Sequence, residues 1–195
     1  MKRLFFALFL AIVPLFPTQA QDVVEIRQVN VDLVDTPKFE VAQTKSKRSE
    51  PQKWLEVEVE FDVAKEFIEE LTVKYHLALT PLLKSKDQHG YLTGEVTHIN
   101  VRKGKGKYSI MYVAPGSLEF FNEGKHFDLK EVEEIGVEIY VRGAVADQFN
   151  KVKGDSFGPW WFKLQPISGH LLNKNQTPFS PLFWDRYEQI KVDVR

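Results

Sequence analysis

Apolar and polar residues alternate with a period of two along most of this chain. Leu55, Val57, Val59 and Phe61 alternate with Glu56, Glu58 and Glu60. Leu71, Val73, Tyr75, Leu77 and Leu79 alternate with Thr72, Lys74, His76, Ala78 and Thr80. Tyr108 to Val113 and Ile135 to Arg142 follow the same rule, and Tyr91 to Arg102 follows it less cleanly. Period two places successive side chains on opposite faces, the mark of a half-buried antiparallel strand. Val24 and Ile26 are out of phase with Val29, Val31 and Leu33, which predicts a β-bulge near Arg27–Gln28. Trp160 to Leu164 and Ile190 to Val194 read as two further short strands.

Helix signals are few. Val63 to Leu71 reads as a connector, and Ser117 to Phe121 and Leu129 to Glu134 as single turns. Turn chemistry separates the strands at Asp87 to Gly90, Ala114 to Gly116 and Gly154 to Pro159. The run Arg102-Lys103-Gly104-Lys105-Gly106-Lys107 reads as a hairpin between two strands. Seven or eight short strands with frequent turns predict an all-β fold, an immunoglobulin-like antiparallel β-sandwich. A barrel is the alternative that periodicity leaves open. Residues 43–53 are polar and read as a mobile loop. Residues 168–195 read as an irregular tail clamped onto the sandwich by Pro178, Phe179, Pro181, Leu182, Phe183 and Trp184.

The N-terminus changes the picture from a generic β domain to an exported one. Lys2 and Arg3 precede an apolar run of 13 residues, Leu4 to Phe16. Thr18 and Ala20 are small residues at −3 and −1 before Gln21. This is the pattern of a cleavable signal peptide over residues 1–20, cut between Ala20 and Gln21. The run is short for a membrane span, which takes about 20 apolar residues. No stable span is expected after cleavage, and residues 21–195 are expected to form one domain. There is no cysteine, so neither a lipidated N-terminus nor a disulfide framework is available. No pilin-type leader is visible either.

Charge and chemistry narrow the function classes. Without Lys2 and Arg3, 24 basic residues face 27 acidic ones, a net charge of about −3. Nucleic acid is therefore not an expected partner. The five histidines, His76, His89, His98, His126 and His170, show no metal-ligand spacing, so no metal and no cofactor are expected. Glu56, Glu58 and Glu60 read as a solvated strand face whose charges meet Lys or Arg on a neighbouring strand. No nucleophile elbow, phosphate loop or dinucleotide fingerprint appears, so no catalytic residue is assigned and the chain is expected not to be an enzyme.

Two groups remain as candidate contacts. Arg102, Lys103, Lys105 and Lys107 could meet a polyanion through point charges, although lysines also simply protect a hairpin tip. Adjacent residues of a strand face opposite ways, so one of Trp160 and Trp161 should enter the core. The other would face outward, to stack on a sugar or a partner protein. The plainer reading has Phe183 or Trp184 of the tail covering it. Asp185 and Arg186 could form a local ion pair, with Arg186 also able to stack on a ring.

The tail string Thr177-Pro178-Phe179-Ser180-Pro181-Leu182-Phe183-Trp184-Asp185-Arg186-Tyr187 resembles a C-terminal motif of a family of small exported proteins. Trp54-Leu55-Glu56-Val57-Glu58-Val59 and Gly143-Ala144 are similar to upstream pieces of that family, in the same order. The family belongs to type IV pilus-like gene clusters of the verrucomicrobial kind. The resemblance implies an immunoglobulin-like fold, a signal peptide, no catalytic activity and association with a pilus-like envelope system. It carries no ligand residues to transfer. The expectation is a non-enzymatic accessory or interaction protein in the periplasm or on the outer-membrane side of a Gram-negative bacterium. Its partners would be other envelope or pilus-like proteins. The alternative is an envelope or secreted binding module for a carbohydrate or another polyanionic ligand.

Overall fold

The computed structural model describes residues 23–39, 50–86, 89–152 and 159–192. The signal-peptide junction at Ala20 and Gln21, most of the 43–53 loop and most of the Gly154–Pro159 turn lie outside the described residues. Seven strands form one hydrogen-bonded sheet: β1 (Val24–Asp35), β2 (Lys53–Leu79), β3 (Gly90–Val113), β4 (Val132–Val141), β5 (Ala144–Val152), β6 (Gln165–Ser168) and β7 (Leu171–Asn173). Two short helices, α1 (Thr80–Lys84) and α2 (Pro115–Phe121), follow β2 and β3. All strand pairings are antiparallel except β3 with β6.

The sheet is a sandwich because its two central strands serve both layers. Residues 53–63 of β2 pair with β1 and with the C-terminal arm of β3. Residues 71–79 of β2 pair with β4 and with the N-terminal arm of β3. Between these arms the register slips, from Val63 opposite Gly104 to Phe67 opposite Arg102. A bulge bends strands sharply, and the sheet folds over on itself there. Leu55, Val57 and Val59 of one arm and Val73, Val137 and Ile139 of the other then share one buried core. The Tyr75 hydroxyl crosses between the layers to Ser109 Oγ at 2.7 Å.

The all-β antiparallel sandwich expected from the alternation is therefore present, with the predicted bulge between Ile26 and Gln28. Asp147 Oδ2 accepts the bulge's Ile26 amide at 2.6 Å, which ties β1 to β5 across the sandwich. Three local expectations are corrected. Val63 to Leu71 is not a connector and Arg102 to Lys107 is not a hairpin: both lie within continuous strands, β2 and β3, at the bend. Gly106, at φ +63, supplies a backbone shape that the bend requires and a side chain resists. Trp160 to Lys163 is a 3-10 turn, not a strand. The expected irregular tail begins later than residue 168, because Leu171–Asn173 joins the sheet as β7.

Candidate functional site

The tail after β7 builds one site on the outer face of the first layer. Trp54, Glu56 and Glu58 of β2 and Tyr108, Ile110 and Tyr112 of β3 face outward there, in register with one another. Phe179 stacks on Tyr112 at 4.4 Å between centroids and meets the Trp54 ring edge-on at 5.7 Å. With Ile110, Leu172 and Leu182, these rings form a second small core outside the sandwich. Arg186 then closes on Glu58 with two hydrogen bonds, Nε to Oε2 at 2.9 Å and Nη2 to Oε1 at 2.6 Å. Its guanidinium lies 3.8 Å from the Tyr108 ring centroid. Tyr187 donates to Glu58 Oε2 at 2.8 Å.

These contacts correct two expectations. The neighbours of the glutamate ladder across β1 are Gln28, Asn30 and Asp32, not Lys or Arg. Glu58 is buried rather than solvated, and its cation comes from the tail. Arg186 pairs with Glu58 and not with Asp185. Burial works to raise the Glu58 carboxyl, but hydrogen bonds from Arg186 and Tyr187 outweigh it and hold the group below its ordinary value. Glu56, with no such cation bonded to it, is raised by burial.

The same tail seals the open side of the sandwich. Tyr187 bridges Tyr108 on one arm of β3, and Ile190 bridges His98 on the other. Beneath it lies a buried polar chain. Tyr75 donates to Ser109 Oγ, Ser109 meets His98 Nε2 at 2.7 Å, and His98 Nδ1 donates to the Glu188 carbonyl at 3.0 Å. Burial lowers the His98 pKa to about 4, so the ring is neutral and can accept from Ser109. A serine beside a histidine invites a catalytic reading. Here both are enclosed in the core, out of reach of a substrate.

What the tail leaves outside is aromatic. Phe183 is 63% exposed and Trp184 73% exposed. They sit where two turns meet, with Phe183 at φ +55, a region that a bulky side chain rarely enters. Lys174 is buried below them. Its Nζ donates to the Ser180 carbonyl at 2.8 Å and lies 5.4 Å from the Trp184 ring centroid. Burial lowers its pKa.

The tryptophan expectation is corrected at this point. Trp160 and Trp161 are both buried, because a 3-10 turn does not send neighbours to opposite faces. Neither Phe183 nor Trp184 covers them. They pack on the outer face of the second layer, where Trp161 stacks on His76 at 4.5 Å and Trp160 meets Tyr91 edge-on. Gly136 makes room, since a Cβ there would come within 2.2 Å of the Trp161 ring. His76 Nε2 bonds Glu138 Oε2 at 2.9 Å, and burial lowers the His76 pKa against that partner. A glycine inside a strand was the sequence signal for this close approach.

Of the basic candidates, Lys107 is engaged with Glu188 of the tail at 3.1 Å. Arg102, Lys103 and Lys105 are exposed at the bend. No cluster of three or more metal-ligating side chains occurs among the described residues. No helix among them is long and apolar enough to cross a membrane.

Fold and surface together define a small all-β sandwich that is fastened by its own C-terminal segment. A protein-family model matches residues 17–194, and the chain belongs to that family. A crystal structure of a protein from Akkermansia muciniphila has the same fold, with a TM-score of 0.72 and 24% identity. The match covers 88% of this chain and 94% of that one. Akkermansia is a verrucomicrobium, in keeping with the resemblance of the tail motif. No curated protein matches.

Proposed function

We propose that this protein is a non-enzymatic, exported accessory protein of a type IV pilus-like envelope system, and that it grips a partner protein through Phe183 and Trp184. The observation that carries the reading is the presentation of these two rings. They project from a turn that is anchored on every side, by Phe179, by Lys174 and by the Arg186–Glu58 pair. Exposed aromatics held rigid lose little entropy on binding, and Trp is a common hot spot of protein interfaces. A convex knuckle suits a groove on a protein better than it suits a sugar, which takes a concave site. The export signal and the tail motif support the envelope setting.

The test is cross-linking in native cells, comparing the natural protein with a Phe183→Ser/Trp184→Ser variant. Recovery of pilus-machinery proteins by the natural chain and their loss in the variant is the expected result. Equal recovery by both would remove the knuckle from the reading. A carbohydrate module keeps one argument, the outer face of the Trp184 ring. Glycan binding that the same variant loses would favour it.

A further inference from the structure

The bend where the sandwich folds over carries a second surface, unrelated to the tail knuckle. Between Val63 opposite Gly104 and Phe67 opposite Arg102, β2 uses more residues than β3. The surplus is pushed outward, so Ala64, Lys65, Glu66 and Phe67 are all exposed. Arg102, Lys103 and Lys105 are exposed on the facing strand. The Phe67 ring, 46% exposed, thus stands across from Arg102, amid cations.

Most of the nearby acid is already engaged. Asp62 takes the Arg27 side chain and the Gly106 amide. Glu188 takes Lys107. Lys65, Arg102 and Lys103 have no ion-pair partner among the described residues. The chain as a whole is slightly acidic, with Asp32, Glu56, Glu58 and Glu60 on the face away from this end. The bend is therefore a local positive pole on a negative molecule.

We propose that this bend docks the protein on an anionic lipid surface. The surface is convex, which excludes a small ligand that needs enclosure. Cations at its rim meet lipid phosphates, while the Phe67 ring enters the boundary between headgroups and acyl chains. An acidic polysaccharide would satisfy the cations but offer the ring nothing to enter. Docking here leaves Phe183 and Trp184 free, so the two surfaces can act together.

The test is co-sedimentation of the protein with vesicles of mixed phosphatidylglycerol and phosphatidylcholine, against vesicles of phosphatidylcholine alone. Binding is expected only with the mixed vesicles, and it should vanish in about 0.5 M salt, where charges are screened within a few ångströms. A Lys65→Ser/Arg102→Ser/Lys103→Ser variant should bind about a hundredfold more weakly, at roughly fivefold per cation. Phe67→Ser should bind more weakly while keeping its salt dependence. All four side chains are exposed, so unchanged thermal unfolding is expected and separates lost docking from lost fold. Equal binding to neutral vesicles, or none to either kind, overturns the proposal. Retention on heparin without vesicle binding also overturns it, in favour of an acidic polysaccharide. Because these variants keep Phe183 and Trp184, their failure leaves the knuckle reading intact.

Discussion

The two outer faces of the sandwich solve one problem in different ways. Each layer buries a carboxylate on its outside, Glu58 on the first and Glu138 on the second. Each carboxylate is then covered by an aromatic-rich segment from late in the chain. On the first face the counter-group is Arg186, which stays charged at any pH the protein meets. On the second it is His76 beneath Trp161, which is a base of variable charge. The first arrangement is a fixed fastening, and the second is sensitive to acid. An isolated buried charge costs several kcal/mol, so each face depends on its cover.

Removing a cover should have the largest effect. Trp161→Ala is expected to cost about 3–5 kcal/mol in chemical denaturation, the usual loss for a buried large ring. It should also admit water to His76 and let its pKa rise toward the ordinary value, which an NMR titration would read. An unmoved His76 would mean that Trp161 is not what dries this site.

Acid should act next, mainly under the tail. His98 binds its proton only near pH 4 in the fold, while an unfolded histidine does so near 6.5. The stability it supplies is complete above the unfolded value. It declines as pH falls through that window and is gone below the folded value, a loss of roughly 3 kcal/mol. A His98→Gln variant should be less stable at neutral pH but show a flatter profile between those limits. A profile as steep as that of the natural protein would shift the acid response to His76.

Arg186→Met tests the fixed fastening. Loss of one partner of a fully buried pair costs about 3–5 kcal/mol, and the Arg186 side chain is 43% exposed, so about 2 kcal/mol is expected. Because the folded Glu58 carboxyl lies below its ordinary value, its contribution is present above the unfolded carboxyl value and disappears in acid. The gap between variant and natural protein should therefore close as Glu58 becomes protonated. The smallest effect concerns the knuckle. Phe183→Gly removes a left-handed strain of about 1 kcal/mol and should leave the protein as stable or slightly more so. A clear loss would show that the exposed ring contributes to the fold.

Alternation in the sequence reveals the strands well and their continuity poorly. Val63 to Leu71 breaks the period of two because a large bulge interrupts it, and Gly104 and Gly106 look like a turn because the facing strand must bend. A folded-over strand pair and two strands joined by turns leave nearly the same trace. The aromatic tail is visible from its composition, including Phe179 as an anchor. Its key bond is not, since Arg186 and Glu58 lie 128 residues apart. β5 went unread because Ala144 to Val152 mixes polar and apolar residues at an edge. The paired burial of Trp160 and Trp161 depends on a 3-10 turn that a strand reading excludes.

The two long strands have one more consequence. Since β2 and β3 run through both layers, neither layer has a boundary along which it could melt alone. Opening either one frays strands that the other needs. The sandwich should therefore behave as a single cooperative unit, with amides of β2 on either side of the bend exchanging with solvent through the same rare global event.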